Sequence, residues 1–363
     1  MSNPSWKRLA HATALRAERA LDAARSRLPA RPTDLHIHPY IGHGNAESLV
    51  LRGRVLADPP PDPDAPDGHA VRRAWRTFRR FASREFPGVE LTVSLDGVRA
   101  TVVTDEEGYY EARLPATPGG VRRFGTASSA GHSVEVEAVV PDAATGSVLV
   151  VSDIDDTVLE TGAQRAWDVA RATIFGTYRT RSPVPAMAEF YRGLVRGPDG
   201  EMENTTFYVS SSPWNLYDFL VTFLEFRGLP RGPLFLRDLG IDKTRFIASG
   251  HGTHKRAAID EILTMHAAHR ALLVGDTGQR DPEIYAEVAR EQPERIAAIY
   301  LRDVAGAERD AEVNEIGREL AGIGVPLVRS GSAVAFAEHA LTLGLIAPDD
   351  VAAVARAVEA APN

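Results

Sequence analysis

The sequence predicts an α/β protein in which a doubly wound parallel sheet is preceded by a small β-sandwich and an N-terminal helix. Three observations carry this reading. Between Thr33 and Pro141, apolar residues recur at every second position in short runs, as half-buried strands require. Beyond Gly146, apolar runs of strand length alternate with stretches of helical period, which calls for a parallel sheet covered by helices. At 363 residues, the chain is long enough for two domains of about 150 residues each.

The first unit, 1–30, places Trp6, Leu9, Ala10, Ala14, Ala17, Leu21, Ala24 and Leu28 at helical spacing, with Arg and Lys mostly between them. It is expected to be one amphipathic helix. The second unit, 31–145, contains SLVLRGRVL, VELTVSL, VRATVV, YYEARL and SVEVEAVV as strands. Asp96-Gly97 between two of these runs is a hairpin signal, and DEEG is a second turn. ADPPPDPDAPDGH (57–69) is too rich in Pro and Asp for an ordered element and is expected to be an exposed loop. AVRRAWRTFRRFASREF (70–86) follows as a helix bearing six arginines, with Trp75, Phe78 and Phe81 among them.

The third unit, 146–363, supplies SVLVVS, TTFYVS, GPLFLR, ALLVGD, IAAIYLR and VPLVRS as strands. AMAEFYRGLV, LYDFLVTFLEFRG and HKRAAIDEILTMHAAH read as helices, the last opened by His254-Lys255.

Composition narrows the function. With no cysteine in the chain, disulfide frameworks and thiolate metal sites are excluded, so any metal must take oxygen or imidazole ligands. The N-terminal stretch lacks the apolar core of a signal peptide, and nowhere do about 18 apolar residues run together. A soluble, cytoplasmic protein is expected. The net charge of −8 argues against general nucleic-acid binding. The Arg-rich helix 70–86 has two readings, a peripheral contact with an anionic membrane or a helix packing its aromatics on the sandwich.

Ligands of open α/β sheets bind at the carboxyl ends of the strands, and the polar residues of interest fall there. SVLVVS ends in Asp153, with Asp155, Asp156 and Thr157 after it. TTFYV ends in Ser210, and ALLV ends in Gly275-Asp276 with Asp281 following. Phosphoryl transfer needs positioning and neutralisation of the phosphoryl oxygens, and each residue type has a task in it. Asp153 is the expected nucleophile. Asp155, two residues along the turn, is the expected general acid and base. Ser210 can donate a hydrogen bond to the phosphoryl oxygens and Lys255 can supply a point charge. Asp153, Asp155, Asp276 and Asp281 form the expected Mg²⁺ set, with Asp281 also placed to orient a metal-bound water or Lys255.

These four motifs in order resemble the haloacid-dehalogenase-like phosphatases. DIDDT, YVSSSPWNLY, THK and VGDTGQRDPEIY are most similar to the actin-patch phosphatidate phosphatases, relatives of the lipins. The resemblance covers about residues 146–310, and HPYIGHG followed by LVLRGRVL is similar to the segment preceding that catalytic domain. It implies Mg²⁺-dependent dephosphorylation through an aspartyl-phosphate, with phosphatidate as substrate and diacylglycerol as product. Two alternatives stand beside it: a phosphatase of soluble esters or phosphoproteins, and a catalytically idle lipid- or protein-binding scaffold.

Each residue also has a plainer reading. Asp153 and Asp155 alone could be solvated loop charges or a sugar-transferase-type acid pair, whereas a calcium loop needs a glycine where Val158 stands. Ser210 alone could be a strand-end cap, and Lys255 a surface lysine. His36, His38 and His43 lie close together in sequence but lack an acidic or thiol partner at ligand spacing. Trp214 and Tyr217 could be core or could line a substrate groove. The spans from Asp153 to Ser210 and from Ser210 to Lys255 are too short for an inserted cap domain, so an open site is expected.

Overall fold

The computed structural model describes residues 35–57, 85–142, 147–154, 186–237, 251–304 and 307–360. The expected helix at 5–28, residues 70–84 of the expected helix 70–86, the loop 57–69 beyond its first residue, Asp155 to Thr157, and the spans 155–185 and 238–250 that bear on a cap lie outside them; Glu85, at the end of the second helix, is instead extended and bridges Leu56 in antiparallel fashion.

Eight strands of the N-terminal half form one hydrogen-bonded sheet: β1 (His36–Pro39), β2 (Gly42–Gly44), β3 (Ser48–Leu56), β4 (Glu90–Leu95), β5 (Val98–Val103), β6 (Tyr109–Pro115), β7 (Arg122–Ser129) and β8 (His132–Val139). The order is β1-β3-β2-β8-β7-β4-β5, with β6 added alongside β3. The predicted alternation is met in β4 and β6: Leu91, Val93 and Leu95 are buried, as are Tyr110, Ala112 and Leu114. They join Leu49, Leu51, Val55, Val136 and Ala138 in one core.

Asp96 and Gly97 turn the β4–β5 hairpin with φ of 51° and 81°, the pair of positive angles that a two-residue turn of this twist demands. The β7–β8 hairpin turns the same way at Ala130 and Gly131, φ 47° and 85°. Sequence reading overlooks β7. Its RRFGTASS buries only Arg123 and Ala127, and Phe124 points outward at 54% exposure, so period-two hydrophobicity is missing.

The C-terminal half is a six-stranded, wholly parallel sheet: β9 (Val148–Asp153), β10 (Thr206–Pro213), β11 (Leu234–Arg237), β12 (Arg270–Asp276), β13 (Ile296–Arg302) and β14 (Leu327–Ser330). All six correspond to the predicted runs. Around them lie α1 (Met187–Arg196), α2 (Tyr217–Phe226), α3 (His251–Met265), α4 (Asp281–Glu291), α5 (Ala307–Gly322), α6 (Ala333–Thr342) and α7 (Pro348–Glu359).

Successive strand side chains point to opposite faces. Leu149 and Val151 of β9 therefore enter a core with Ile259, Ile262, Ile284 and Val313 from α3, α4 and α5. Val148 and Val150 enter another with Phe190, Phe336 and Val354 from α1, α6 and α7. Both faces are covered, which explains why these strands read as continuous apolar runs.

The sheet order is β11-β10-β9-β12-β13-β14. The chain starts at the centre with β9, builds outward through β10 to β11, then returns to the other side of β9. Connections leave β9 and β12 in opposite directions, and a crevice opens at the carboxyl ends where they diverge. Asp153 is the last residue of β9 and Asp276 the last of β12.

Candidate functional site

Asp153 stands at the head of this crevice, paired in register with Val209 of β10. Ser210 follows Val209, is wholly buried, and accepts the Ser212 N–H on Oγ at 3.0 Å. On the other flank, Asp276 Oδ1 accepts the N–H groups of Gly278 and Gln279 at 2.7 and 3.1 Å, a local turn that holds the carboxylate.

Lys255 lies in the second turn of α3. The helix starts at His251, so Lys255 does not open it as the sequence suggested. Its Nζ lies 2.8 Å from Asp153 Oδ1 and 2.7 Å from Asp281 Oδ1, and donates to Gln279 Oε1 at 3.3 Å. Asp281 begins α4, is fully buried, and accepts the Asp276 N–H on Oδ2 at 3.2 Å. One carboxylate thus ties the lysine to the Asp276 loop.

Gly275 makes this possible. A Cβ at that position would fall 2.4 Å from Asp281 Oδ2 and 2.9 Å from the Tyr285 ring, so only glycine lets Asp281 approach the strand end. Tyr285 donates to the carbonyl of Val274 at 3.0 Å. Burial, then the charges of Asp281 and Asp153, push its pKa up, which keeps the hydroxyl neutral. Ser152 and Tyr191 share a 2.6 Å hydrogen bond behind Asp153.

Ligand oxygens of Asp153, Asp276 and Asp281 lie within 4.8 Å of one another. Three carboxylates face one ammonium, and like charges this close repel one another unless a cation compensates them. The donors are all hard oxygens, which suits a divalent ion of the Mg²⁺ or Ca²⁺ type.

The structure therefore unites Asp153, Lys255, Asp276 and Asp281, with Ser210 on the adjacent strand end; Asp155 is outside the described residues. Gln279 was not singled out from sequence, although it lies inside the GDTGQRD run and reaches Lys255. His38 Nδ1 is 3.9 Å from Asp218, and His43 packs beside Phe207, Phe235 and His266. Tyr217 is buried, and Trp214 is half-buried against Tyr40, with ring centroids 5.0 Å apart.

Acidic groups and a lysine therefore meet at the carboxyl ends of a parallel sheet, where ligands of such sheets bind. Residues 148–303 match the family model described as Phosphatidate phosphatase APP1, catalytic domain. All four motifs lie within that segment. Phosphatidate phosphatase APP1 of Saccharomyces cerevisiae is 28% identical over 161 residues, 44% of this chain and 27% of the yeast protein. An uncharacterized protein of Schizosaccharomyces pombe is 28% identical over 167 residues, 46% of this chain and 26% of that protein. The chain thus spans about a quarter of the length of these relatives. Among solved structures, a carbohydrate acetylesterase from Xanthomonas citri aligns at 11% identity over 87% of this chain and 71% of that one, with a TM-score of 0.31, which carries no argument.

Proposed function

We propose that the protein is a Mg²⁺-dependent phosphatase of the haloacid-dehalogenase-like, doubly wound class, hydrolysing phosphatidate to diacylglycerol and phosphate. Its catalytic unit is 146–363, behind an accessory unit at 31–145. The observation that carries the reading is the convergence of Asp153, Lys255, Asp276 and Asp281 at the switch point, inside the segment that matches the APP1 catalytic domain.

Asp153 attacks phosphorus, forming an aspartyl-phosphate as the ester P–O bond breaks. Asp155 gives its proton to the departing oxygen, then takes one from the water that cleaves the acyl phosphate and releases inorganic phosphate. Lys255 neutralises a phosphoryl oxygen, and Ser210 donates to another. Asp281 keeps Lys255 in place. Asp153, Asp155 and Asp276 would hold Mg²⁺, with Asp281 beside them; bound there, the ion would screen the nucleophile from the anionic substrate and neutralise developing charge.

Phosphatidate is a bilayer lipid, so the enzyme works at a membrane surface. Among the described residues, no helix is long and apolar enough to cross one. The test is phosphate release from phosphatidate, diacylglycerol pyrophosphate, sugar phosphates and phosphopeptides, each with Mg²⁺ and with a chelator. Mg²⁺-dependent turnover with preference for phosphatidate is expected. Preference for a soluble ester would overturn the substrate, and no turnover of any ester would overturn the reaction.

A further inference from the structure

One of the places where the β module meets the C-terminal half is the turn Trp214 to Asp218, which directly follows the strand carrying Ser210. Asn215 Oδ1 accepts Arg54 Nη1 and the Tyr109 hydroxyl, each at 2.7 Å. Arg54 is 4% exposed. Its Nε donates to the Glu107 carbonyl at 2.8 Å, its Nη2 pairs with Glu85, and its guanidinium lies 4.4 Å from the Tyr109 ring centroid. Two residues beyond Asn215, the Tyr217 hydroxyl accepts the Ile41 N–H at 2.7 Å. Tyr40 stacks on Trp214 and Tyr217 at 5.0 and 4.0 Å between centroids.

A buried guanidinium is costly unless its donors are satisfied, and here Nε and Nη2 anchor Arg54 within the β module on Glu107 and Glu85 while Nη1 reaches Asn215. Asn215 lies five positions after Ser210, and the Ser210 hydroxyl is itself tied to the Ser212 N–H at 3.0 Å. A tilt of the turn therefore carries the hydroxyl with it. A misplacement of about 1 Å at a reacting group costs on the order of 10²-fold in rate.

We propose that the β module is a clamp that positions Ser210, with Arg54, Tyr109 and Asn215 as the positioning residues. This deepens the phosphatase reading and rests on it for the role of Ser210. The clamp acts on the orientation of the hydroxyl that meets the phosphoryl group, so its loss lowers kcat more than it raises KM.

The experiment uses the full chain and the pair Arg54→Met with Tyr109→Phe, read by amide hydrogen exchange and by kinetics on the best phosphate ester. Exchange is expected to rise about tenfold or more at 210–218 and to stay unchanged at 270–276. kcat is expected to fall by about 10- to 100-fold. In a Ser210→Ala background the same pair should cost less than about twofold more, because effects that act through one group are not additive. Unchanged exchange at 210–218 overturns the clamp. Raised exchange with fully additive kinetic losses overturns its action through Ser210. A wild-type protein inert toward every ester removes the phosphatase reading and with it the kinetic role, while the exchange arm still decides whether the module holds the turn. If the pair fails to fold, Tyr109→Phe alone, which deletes one hydroxyl, is expected to give the same pattern at smaller amplitude.

Discussion

Lys255 Nζ lies 2.8 Å from Asp153 Oδ1, and neither side chain is more than 4% exposed. The same ammonium is 2.7 Å from Asp281, so one buried cation is shared by two carboxylates. A lysine held between them can meet a phosphoryl oxygen without first being ordered, because the ordering is done in folding.

Asp153→Asn is therefore expected to abolish turnover, by about 10⁴-fold or more, without unfolding the chain. The amide removes one negative charge from the cluster, and Lys255 keeps Asp281. In the absence of divalent cation, Tm should move by less than about 4 °C, read by a thermal scan beside phosphate release. A variant retaining a tenth of wild-type activity would exclude Asp153 as nucleophile.

The excess of carboxylate charge makes a cation prediction. Added Mg²⁺ is expected to raise Tm, by an amount equivalent to about 2.7 kcal/mol at a hundred times its dissociation constant, and chelation should reverse the rise. Asp276→Asn, which removes a carboxylate of the trio, should lose most of that increment. An increment equal to wild type would take Asp276 out of the cation site.

Gly275→Ala tests the approach of Asp281 to the strand end. The added methyl meets Asp281 Oδ2 at 2.4 Å and Tyr285 at 2.9 Å, so Asp281 must shift and Lys255 with it. Overpacking of this kind costs typically about 1–3 kcal/mol, and kcat should fall on the order of 10²-fold. A variant with wild-type kcat and Tm would mean that the loop yields without disturbing the cluster.

Much of the parallel sheet was legible in the sequence because strands buried on both faces announce themselves as unbroken apolar runs, as in VLVVS and IAAIYL. That Asp153 and Asp276 would meet at neighbouring strand ends was legible because each follows such an apolar run. The β module was harder to read. β1 and β2 are only four and three residues long, and β7 carries arginines, serines and an outward phenylalanine, so their place in the sheet is set by pairing with neighbours instead of by their own pattern. The contacts of Asn215 with Tyr109 and Arg54 had no local signal, since they span separations of 106 and 161 residues.

Ala130 is a place where the sequence resists the fold. It turns the β7–β8 hairpin at φ 47° and is exposed, in a region that costs a residue with a Cβ roughly 1–2 kcal/mol and that asparagine tolerates far better. Ala130→Asn is expected to raise stability by about 0.5–1 kcal/mol in denaturant melts, with activity unchanged. No gain would mean that Ala130 carries little strain.

The junction of the two halves should weaken in acid, and His43 is one of the residues responsible. It is 3% exposed, and its ring centroid lies 5.0 Å from that of Phe235 and 6.1 Å from that of His266. Burial first, then the charges of Arg52 and Arg113, lower its pKa from about 6.5 to about 3. Glu261 is 3.9 Å from its Nε2, but that carboxylate is taken by Arg52 at 3.1 Å. His266 is lowered to about 3 as well, by burial and then by His43, His269 and Arg295. Between about pH 6.5 and 3 the unfolded chain binds protons that the folded one refuses, so stability is full above about 6.5 and falls as pH drops through that window. Each such histidine contributes a slope of up to about 1.4 kcal/mol per pH unit. Carboxylates titrate mostly below about 4.5, so the change in denaturation free energy between pH 7 and 5 isolates the histidines. His43→Leu is expected to flatten that change relative to wild type, and equal slopes for the two proteins would show that His43 is not the acid-sensitive group.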